Sequence, residues 1–228
     1  MKLCGLMKLT LLDFPGKVAC TVFTGGCNFR CPFCHNAQLV LLPDGHDSLR
    51  EETFFSFLAK RRGILDGVCV SGGEPLLHAD IADFIRRIRE AGFAVKLDTN
   101  GSFPEQLRAL VREGLIDYVA MDIKHAPAHY GEAVGIAGFD PAKVEQSIDF
   151  LLSGAVPYEF RTTVVAELHH DGDFAAIGRR IRGAERYFLQ TFRDEGDLLT
   201  GGLHAPTREQ MEKWRDEAAP FVQSIGLR

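Results

Sequence analysis

The sequence predicts an α/β fold built on a parallel sheet. Six short, apolar, β-rich runs alternate with amphipathic helical segments, and unusual polar residues collect just after the runs. Strand alternating with helix is the pattern of a parallel sheet with right-handed crossovers. It fits either an open doubly wound sheet or a curled, barrel-like one.

The elements follow in order. The first candidate strand is 17–24, ahead of a cysteine-bearing loop. Ser48 with Glu51 makes a capping box for a helix that Gly63 closes. The second strand is 67–70. Ile81, Phe84, Ile85 and Ile88 then recur at helical spacing, with Arg86, Arg87, Arg89 and Glu90 between them and Gly92 after them. The third strand is 93–97. Pro104 suits the first turn of the next helix, and Gly114 ends it. The fourth strand, 117–121, precedes a helix opened by Asp140-Pro141 and ended near Gly154. The fifth and sixth strands are 158–165 and 186–189. Thr207 and Gln210 form a second capping box before a helix at 211–219. Several strands are apolar nearly throughout, as strands covered on both faces are.

The 228 residues fit a single domain, 1–228, with a lead-in over 1–16 and a cysteine loop over 25–47. Hydrophobic residues make up 46%, enough for a sizeable core. A net charge of −5 and the lack of a basic stripe argue against a nucleic-acid or anionic-membrane surface. The apolar stretch near 39–42 is too short to span a bilayer, and the first residues lack a secretory signal. Thiols without an export signal point to the cytoplasm. Cys20 and Cys69 lie in apolar runs and read as small buried hydrophobes. Cys4 has no reading.

Cys27, Cys31 and Cys34 carry the chemistry. Their spacing is C-x3-C-x2-C, with no fourth cysteine nearby. Three thiolates can hold three irons of a cubane iron–sulfur cluster. The fourth iron is then open to a substrate or cofactor, as a catalytic zinc keeps one position open. A disulfide framework does not suit six cysteines in a chain of this length. Zinc on Cys27, Cys31, Cys34 and His35 is the rival, although neighbouring ligands strain a tetrahedron and structural zinc favours separated knuckles.

The polar residues fall where ligand sites form in parallel α/β folds, at the carboxyl ends of strands. Gly25-Gly26-Cys27 follows the first strand and Ser71-Gly72-Gly73-Glu74-Pro75 the second. Asp98-Thr99-Asn100-Gly101 follows the third and Asp122-Ile123-Lys124 the fourth. Arg161 lies inside the fifth, and Gln190 ends the sixth. Any one of these alone is an ordinary turn or surface end.

Together with the cysteines, these residues resemble the radical S-adenosylmethionine (SAM) enzymes. C-x3-C-x-aromatic-C, with Phe33 at the aromatic place, is similar to that superfamily's signature, and Gly72-Gly73-Glu74 to the motif that meets the methionyl amine of SAM. Leu12-Asp13-Phe14-Pro15-Gly16, Val22-Phe23-Thr24-Gly25-Gly26-Cys27 and Cys34-His35-Asn36 resemble the opening of the anaerobic ribonucleotide reductase activating proteins. Those are glycyl-radical activating enzymes. Asp98-Thr99-Asn100-Gly101 and Asp122-Ile123-Lys124 are similar to strand ends in pyruvate formate-lyase activase-like members. The inserted cysteine-rich domain of longer activases has no counterpart here, and Gln190 stands without the histidine some relatives place near the ribose.

The resemblance implies a six-stranded partial (βα)6 TIM barrel of the radical SAM type. It implies one [4Fe–4S] cluster on Cys27, Cys31 and Cys34, and SAM held by Phe33, His35, Gly72, Gly73, Glu74, Asp98, Asn100, Asp122, Lys124, Arg161 and Gln190. No catalytic side chain is expected, because reductive cleavage of SAM yields a 5′-deoxyadenosyl radical that abstracts a hydrogen atom. The implied substrate is a glycine Cα–H in a partner enzyme of the anaerobic ribonucleotide reductase kind, with flavodoxin or ferredoxin as electron donor. The segment 13–16 either frames an opening for the partner's loop or is a simple turn. The rivals are a radical SAM enzyme acting on a small molecule or peptide, and a non-catalytic iron–sulfur or zinc module.

Overall fold

In the computed structural model of the chain, residues 1–42, 48–194 and 197–228 are described. The end of the expected cysteine loop, 43–47, lies outside them. The chain forms two compact units. The first comprises Met1–Asn28, Gln38–Thr99 and Glu105–Val119, the second Phe29–Ala37, Asn100–Pro104 and Ala120–Arg228. Among the described residues there are eight strands, neighbouring one another in chain order.

The first unit opens with β1 (Leu3–Thr10), antiparallel to β2 (Ala19–Thr24). Helices α1 (Ala37–Leu41) and α2 (Glu51–Ala59) lead to β3 (Gly67–Gly72), and α3 (Ile81–Glu90) leads to β4 (Ala94–Thr99). Strands β2, β3 and β4 are parallel, with Ala19 opposite Gly67 and Gly67 opposite Ala94. Helix α4 (Pro104–Arg112) follows. Helix α3 buries Ile81, Phe84, Ile85 and Ile88, the face its periodicity predicts. Phe54 of α2 stacks on Phe84 at 5.4 Å between ring centroids. The capping box expected at Ser48 is not formed. Helix α2 starts at Glu51, later than the pattern suggested, with Arg50 at its N-cap and no side-chain cap. Glu51 turns instead to Arg87 of α3, at 2.6 Å.

The lead-in segment closes the amino ends of the strands. Phe14 is buried against Ala19, Cys69 and Tyr118, with Ala94 beside them. A Cβ on Gly67 would stand 2.8 Å from the Phe14 ring, so the start of β3 needs glycine to admit the aromatic. Of the two readings of 13–16, an opening for a partner's loop or a simple turn, neither is decided by this packing, which accounts for Phe14 alone. An aromatic flanked by the first residues of β2, β3 and β4 gains its burial at the amino ends of the strands.

Strand β5 (Tyr118–Asp122) begins in the first unit and ends in the second. Before it, the Asp117 N–H donates to the Val95 carbonyl at 2.9 Å, and the Asp117 carboxylate accepts from the Val95 N–H and from Arg89. Past its end, the Ile123 N–H donates to the Arg161 carbonyl at 2.7 Å. The second unit continues with α5 (Tyr130–Val134), α6 (Ala142–Leu152), β6 (Tyr158–Val164), α7 (Asp173–Arg180), β7 (Tyr187–Thr191), α8 (Arg208–Ala218) and β8 (Ile225–Leu227). Strands β6, β7 and β8 are parallel. The second capping box forms as predicted, between Thr207 and Gln210. Trp214 of α8 stacks on Phe174 of α7 at 5.3 Å and donates its indole N–H to Asp171.

Strands β2 to β7 are the six expected from sequence, within a residue or two. Two more were not expected, giving eight rather than six. Strand β1 is an edge strand that pairs along its length with β2 and leaves Met7 and Leu9 exposed, so it lacks a clean two-residue alternation. Strand β8 spans three residues, too few for a periodic signal. No described helix is long and apolar enough to cross a membrane.

Phe14→Ala should cost about 3 kcal/mol or more in denaturant unfolding, the usual range for deleting a buried aromatic. The folded fraction should keep its full iron content after reconstitution, because the ring sits at the amino ends of the strands. A proportionate loss of iron would show that the plug also shapes the cysteine loop.

Candidate functional site

In the first unit, the ends of β2 and β3 meet backbone to backbone. The Gly73 N–H donates to the Thr24 carbonyl at 2.9 Å, and the Glu74 N–H donates to the Gly26 carbonyl at 2.8 Å. A Cβ on Gly73 would lie 1.9 Å from the Gly26 oxygen, and one on Gly72, at φ +124°, would lie 2.2 Å from the Thr24 oxygen. Gly72 and Gly73 are among the residues that the resemblance assigns to SAM. In the fold, both glycines make room for the chain's own loop leading into Cys27.

Glu74 is fully buried. Its carboxylate accepts from the Leu76 N–H at 3.0 Å and from the Thr99 hydroxyl at 2.9 Å, so it caps the short turn Pro75–Leu77 and ties β3 to β4. At the end of β4, Asp98 pairs with Lys96, and its other oxygen accepts from the Ser71 hydroxyl at 3.0 Å. Lys96 was missed by sequence reasoning. It is 1% exposed, and its place two residues before Asp98 puts both side chains on one face of the strand.

In the second unit, Cys31 and Cys34 share a tight turn, with the Cys34 N–H donating to the Cys31 carbonyl at 3.0 Å. Phe33 between them is buried, while His35 is exposed. Helix α5, also missed, holds this segment. The Arg30 N–H donates to the Val134 carbonyl at 2.8 Å. Gly135, at φ +67°, ends α5 so close that a Cβ would stand 2.1 Å from the Arg30 oxygen. Phe29 meets Phe139 edge-on at 5.3 Å, and Tyr130 stacks on the same ring. Asn100 uses its side-chain oxygen within its own turn, accepting from the Ser102 N–H and hydroxyl.

Asp122, Lys124 and Arg161 form one charged group. Asp122 accepts from Arg161 Nε at 2.9 Å and from Lys124 Nζ at 3.0 Å. Burial alone would raise the Asp122 carboxyl, but Arg161 and Lys124 outweigh it and hold it well below the usual carboxylate range. Burial would lower Lys124, but Asp122, and next Cys31, push it above its ordinary value. Lys124 thus lies in the field of the Cys31 and Cys34 thiols. Gln190 stands in β7 opposite Thr163. Cys20 and Cys69 are fully buried; burial raises the Cys20 thiol to about 12 and raises Cys69 as well.

Just past β5 and β6 lies a histidine pair that sequence reasoning also missed. His125 and His169 are buried and stack at 4.5 Å, with His129 and Asp173 near His125 and Phe174 against His169. Burial lowers His125 and takes His169 down to about 4.

All six cysteines are thiols. Among the described residues no three His, Cys, Asp or Glu side chains gather about a single ion. A cubane does not require that, because each thiolate binds its own iron. The thiols of the motif are the right donors, and the Lys124 ammonium near two of them suits anionic thiolates. The residues present therefore fit a cluster.

Two outcomes follow. Gly135→Ala should lower iron incorporation at least severalfold, whereas Gly138→Ala should not, since both residues have φ near +67° but a Cβ on Gly138 meets nothing within 4 Å. Equal iron in both variants would remove α5 as the support of the cysteine loop. Stability should also fall with acid through the histidine pair. Folded His169 binds its proton only near pH 4, while the unfolded residue binds it near 6.5, so its contribution is intact above pH 6.5 and declines toward pH 4. Denaturant titrations should show a loss of roughly 3 kcal/mol over that window that is absent in His169→Leu. Identical slopes in the two proteins would count against it.

Comparison with known proteins places the chain. Residues 21–171 match the Radical SAM superfamily. A glycyl-radical enzyme activating enzyme of Methanocaldococcus jannaschii is 31% identical over 232 residues, 98% of this chain and 94% of that protein. The pyruvate formate-lyase-activating enzyme of Clostridium pasteurianum is 32% identical over 121 residues, and the match spans about half of each chain, 50% and 49%. The solved structure of Streptococcus suis SuiB bound to S-adenosylmethionine superposes with a TM-score of 0.66 at 11% identity, over 90% of this chain and 48% of that one. That last likeness is one of fold. The superfamily works with a [4Fe–4S] cluster and SAM. The chain belongs to the radical SAM superfamily and, within it, to the family of the glycyl-radical enzyme activating enzymes.

Proposed function

We propose that this protein reductively cleaves SAM and generates a glycyl radical on a separate, larger enzyme of the anaerobic ribonucleoside-triphosphate reductase kind. One observation carries the reading. The likeness to the M. jannaschii activating enzyme, 31% identical, runs through 98% of this chain and 94% of that protein, and it supports an activase over an enzyme of small molecules. When bound at Cys27, Cys31 and Cys34, the cluster supplies the electron for cleavage, and SAM supplies the group that takes a hydrogen atom from the glycine Cα.

The chain's own residues bind and orient. Glu74 offers a carboxylate already fixed by Leu76 and Thr99, ready to accept from the SAM ammonium. Asp98 and Asn100 serve the ribose hydroxyls. Lys124 and Arg161 serve the SAM carboxylate; two cations on the one anion Asp122 leave a single net positive charge to receive it. Gly72 and Gly73 hold the loop close, Phe33 and the His35 backbone lie against adenine, and Gln190 completes the rim. The whole of 1–228 acts as one radical SAM domain, with β2 to β7 as its six-stranded partial barrel. It works in the cytoplasm, with flavodoxin or ferredoxin as donor.

Protein reconstituted without oxygen should hold about four iron and four sulfide per chain. Reduced and mixed with SAM and the partner, it should give a glycyl doublet by electron paramagnetic resonance, and the partner with that glycine changed to alanine should give none. Stoichiometric zinc without sulfide would remove the cluster. No doublet, with 5′-deoxyadenosine production raised by a small metabolite or peptide, would replace the activase reading.

A further inference from the structure

We infer that Lys96 is a positioning residue for SAM binding, acting through Asp98; the inference rests on the proposed contact of Asp98 with SAM. Lys96 is one of the largest fully buried side chains of the protein, in the middle of β4. A buried ammonium is costly unless paired and hydrogen-bonded. It pairs with Asp98, whose second oxygen accepts from Ser71 at 3.0 Å. Asp98 is therefore tethered from two strands, β4 through Lys96 and the end of β3 through Ser71. Its side chain keeps 17% exposure, so one face reaches the carboxyl-end rim while both oxygens are fixed.

The surroundings fit a device that orients more than it packs. Lys96 stands opposite Cys69 in the β3–β4 register, and Cys69 stands opposite Thr21 in β2. The Thr21 hydroxyl donates to Asp13 at 2.5 Å. Lys96 therefore lies in a part of the sheet that is largely apolar, next to the small buried Cys69 and with Val68, Val70, Val95 and Leu97 fully buried nearby. A methionine at 96 would fill the space at no desolvation cost. The ammonium and its carboxylate instead fix the direction of a group at the strand's end. A carboxylate held in place loses less freedom on binding a hydroxyl or ammonium than a mobile one.

The test uses oxidised, cluster-loaded protein, which binds SAM without turning it over, and reads affinity by calorimetry beside iron content and thermal unfolding. Lys96→Met should weaken SAM binding about tenfold or more, the scale of one hydrogen bond to a charged group. Iron should remain unchanged. Lys96→Arg should recover part of the loss. In turnover, the Met variant should raise KM and spare kcat. Ser71→Ala, which cuts the other tether and leaves the lysine in place, should weaken binding severalfold; this variant decides the matter if Lys96→Met does not fold. Wild-type affinity in a folded Lys96→Met or in Ser71→Ala would overturn the inference. Asp98→Asn separates the two layers. If it binds SAM as the wild type does, the contact itself is wrong. If it binds weakly while Lys96→Met binds normally, only the positioning role fails.

Discussion

The close approach of Gly73 to Gly26 is the constraint on which the rest of the first unit's rim depends. A Cβ at 73 would lie 1.9 Å from a carbonyl oxygen, so the end of β3 meets the loop after β2 only as bare backbone. That contact fixes the Glu74 N–H on Gly26 and turns the Glu74 carboxylate inward to Thr99. The run into Cys27 is thereby tied to β3, and β3 to β4, by three consecutive residues. Gly-Gly-Glu at this place is first a structural joint; whatever the carboxylate does for a ligand, it does from a position set by the backbone.

The fold was legible in the sequence where periodicity was long and boundaries were chemical. Helix α3, with four buried apolar residues on one face, was readable, and so was the Thr207 cap. Strands β2 to β7 were readable as short β-rich runs, several of them apolar nearly throughout, set between helical segments. What escaped was β1, β8, the five-residue α1 and α5, and α7, for which the sequence pattern predicted no element. The Ser48 cap failed for a different reason. An attractive carboxylate on a neighbouring helix face drew Arg87, and Glu51 serves that pair instead.

The candidate site was legible as strand-end residues but not as charge balance. Asp98, Asp122, Lys124 and Arg161 were visible, since polar residues after apolar runs stand out. Their counterparts were hidden. Lys96 sits inside an apolar strand, and its ammonium is tolerable only because Asp98 folds back on it. Asp122 read as a ligand-binding acid, and in the fold it also bridges Lys124 and Arg161, offsetting one of their two charges. His125 and His169 come together from different strand ends, a juxtaposition that no local pattern announces. One-dimensional spacing shows which groups reach a rim; which of them cancel one another depends on neighbours far apart in the chain.

The stacking of Trp214 on Phe174 has a practical consequence. The chain has a single tryptophan, and it lies wholly within the second unit, buried and hydrogen-bonded to Asp171. Indole fluorescence is therefore a local reporter of the α7–α8 packing, blind to β1 through β4. Far-ultraviolet dichroism, in contrast, averages over every helix and strand. Followed together through an unfolding transition, the two signals form a built-in check on cooperativity. Coincident curves mean that the units melt as one, and displaced curves assign the earlier or later step to the second unit without any label being introduced.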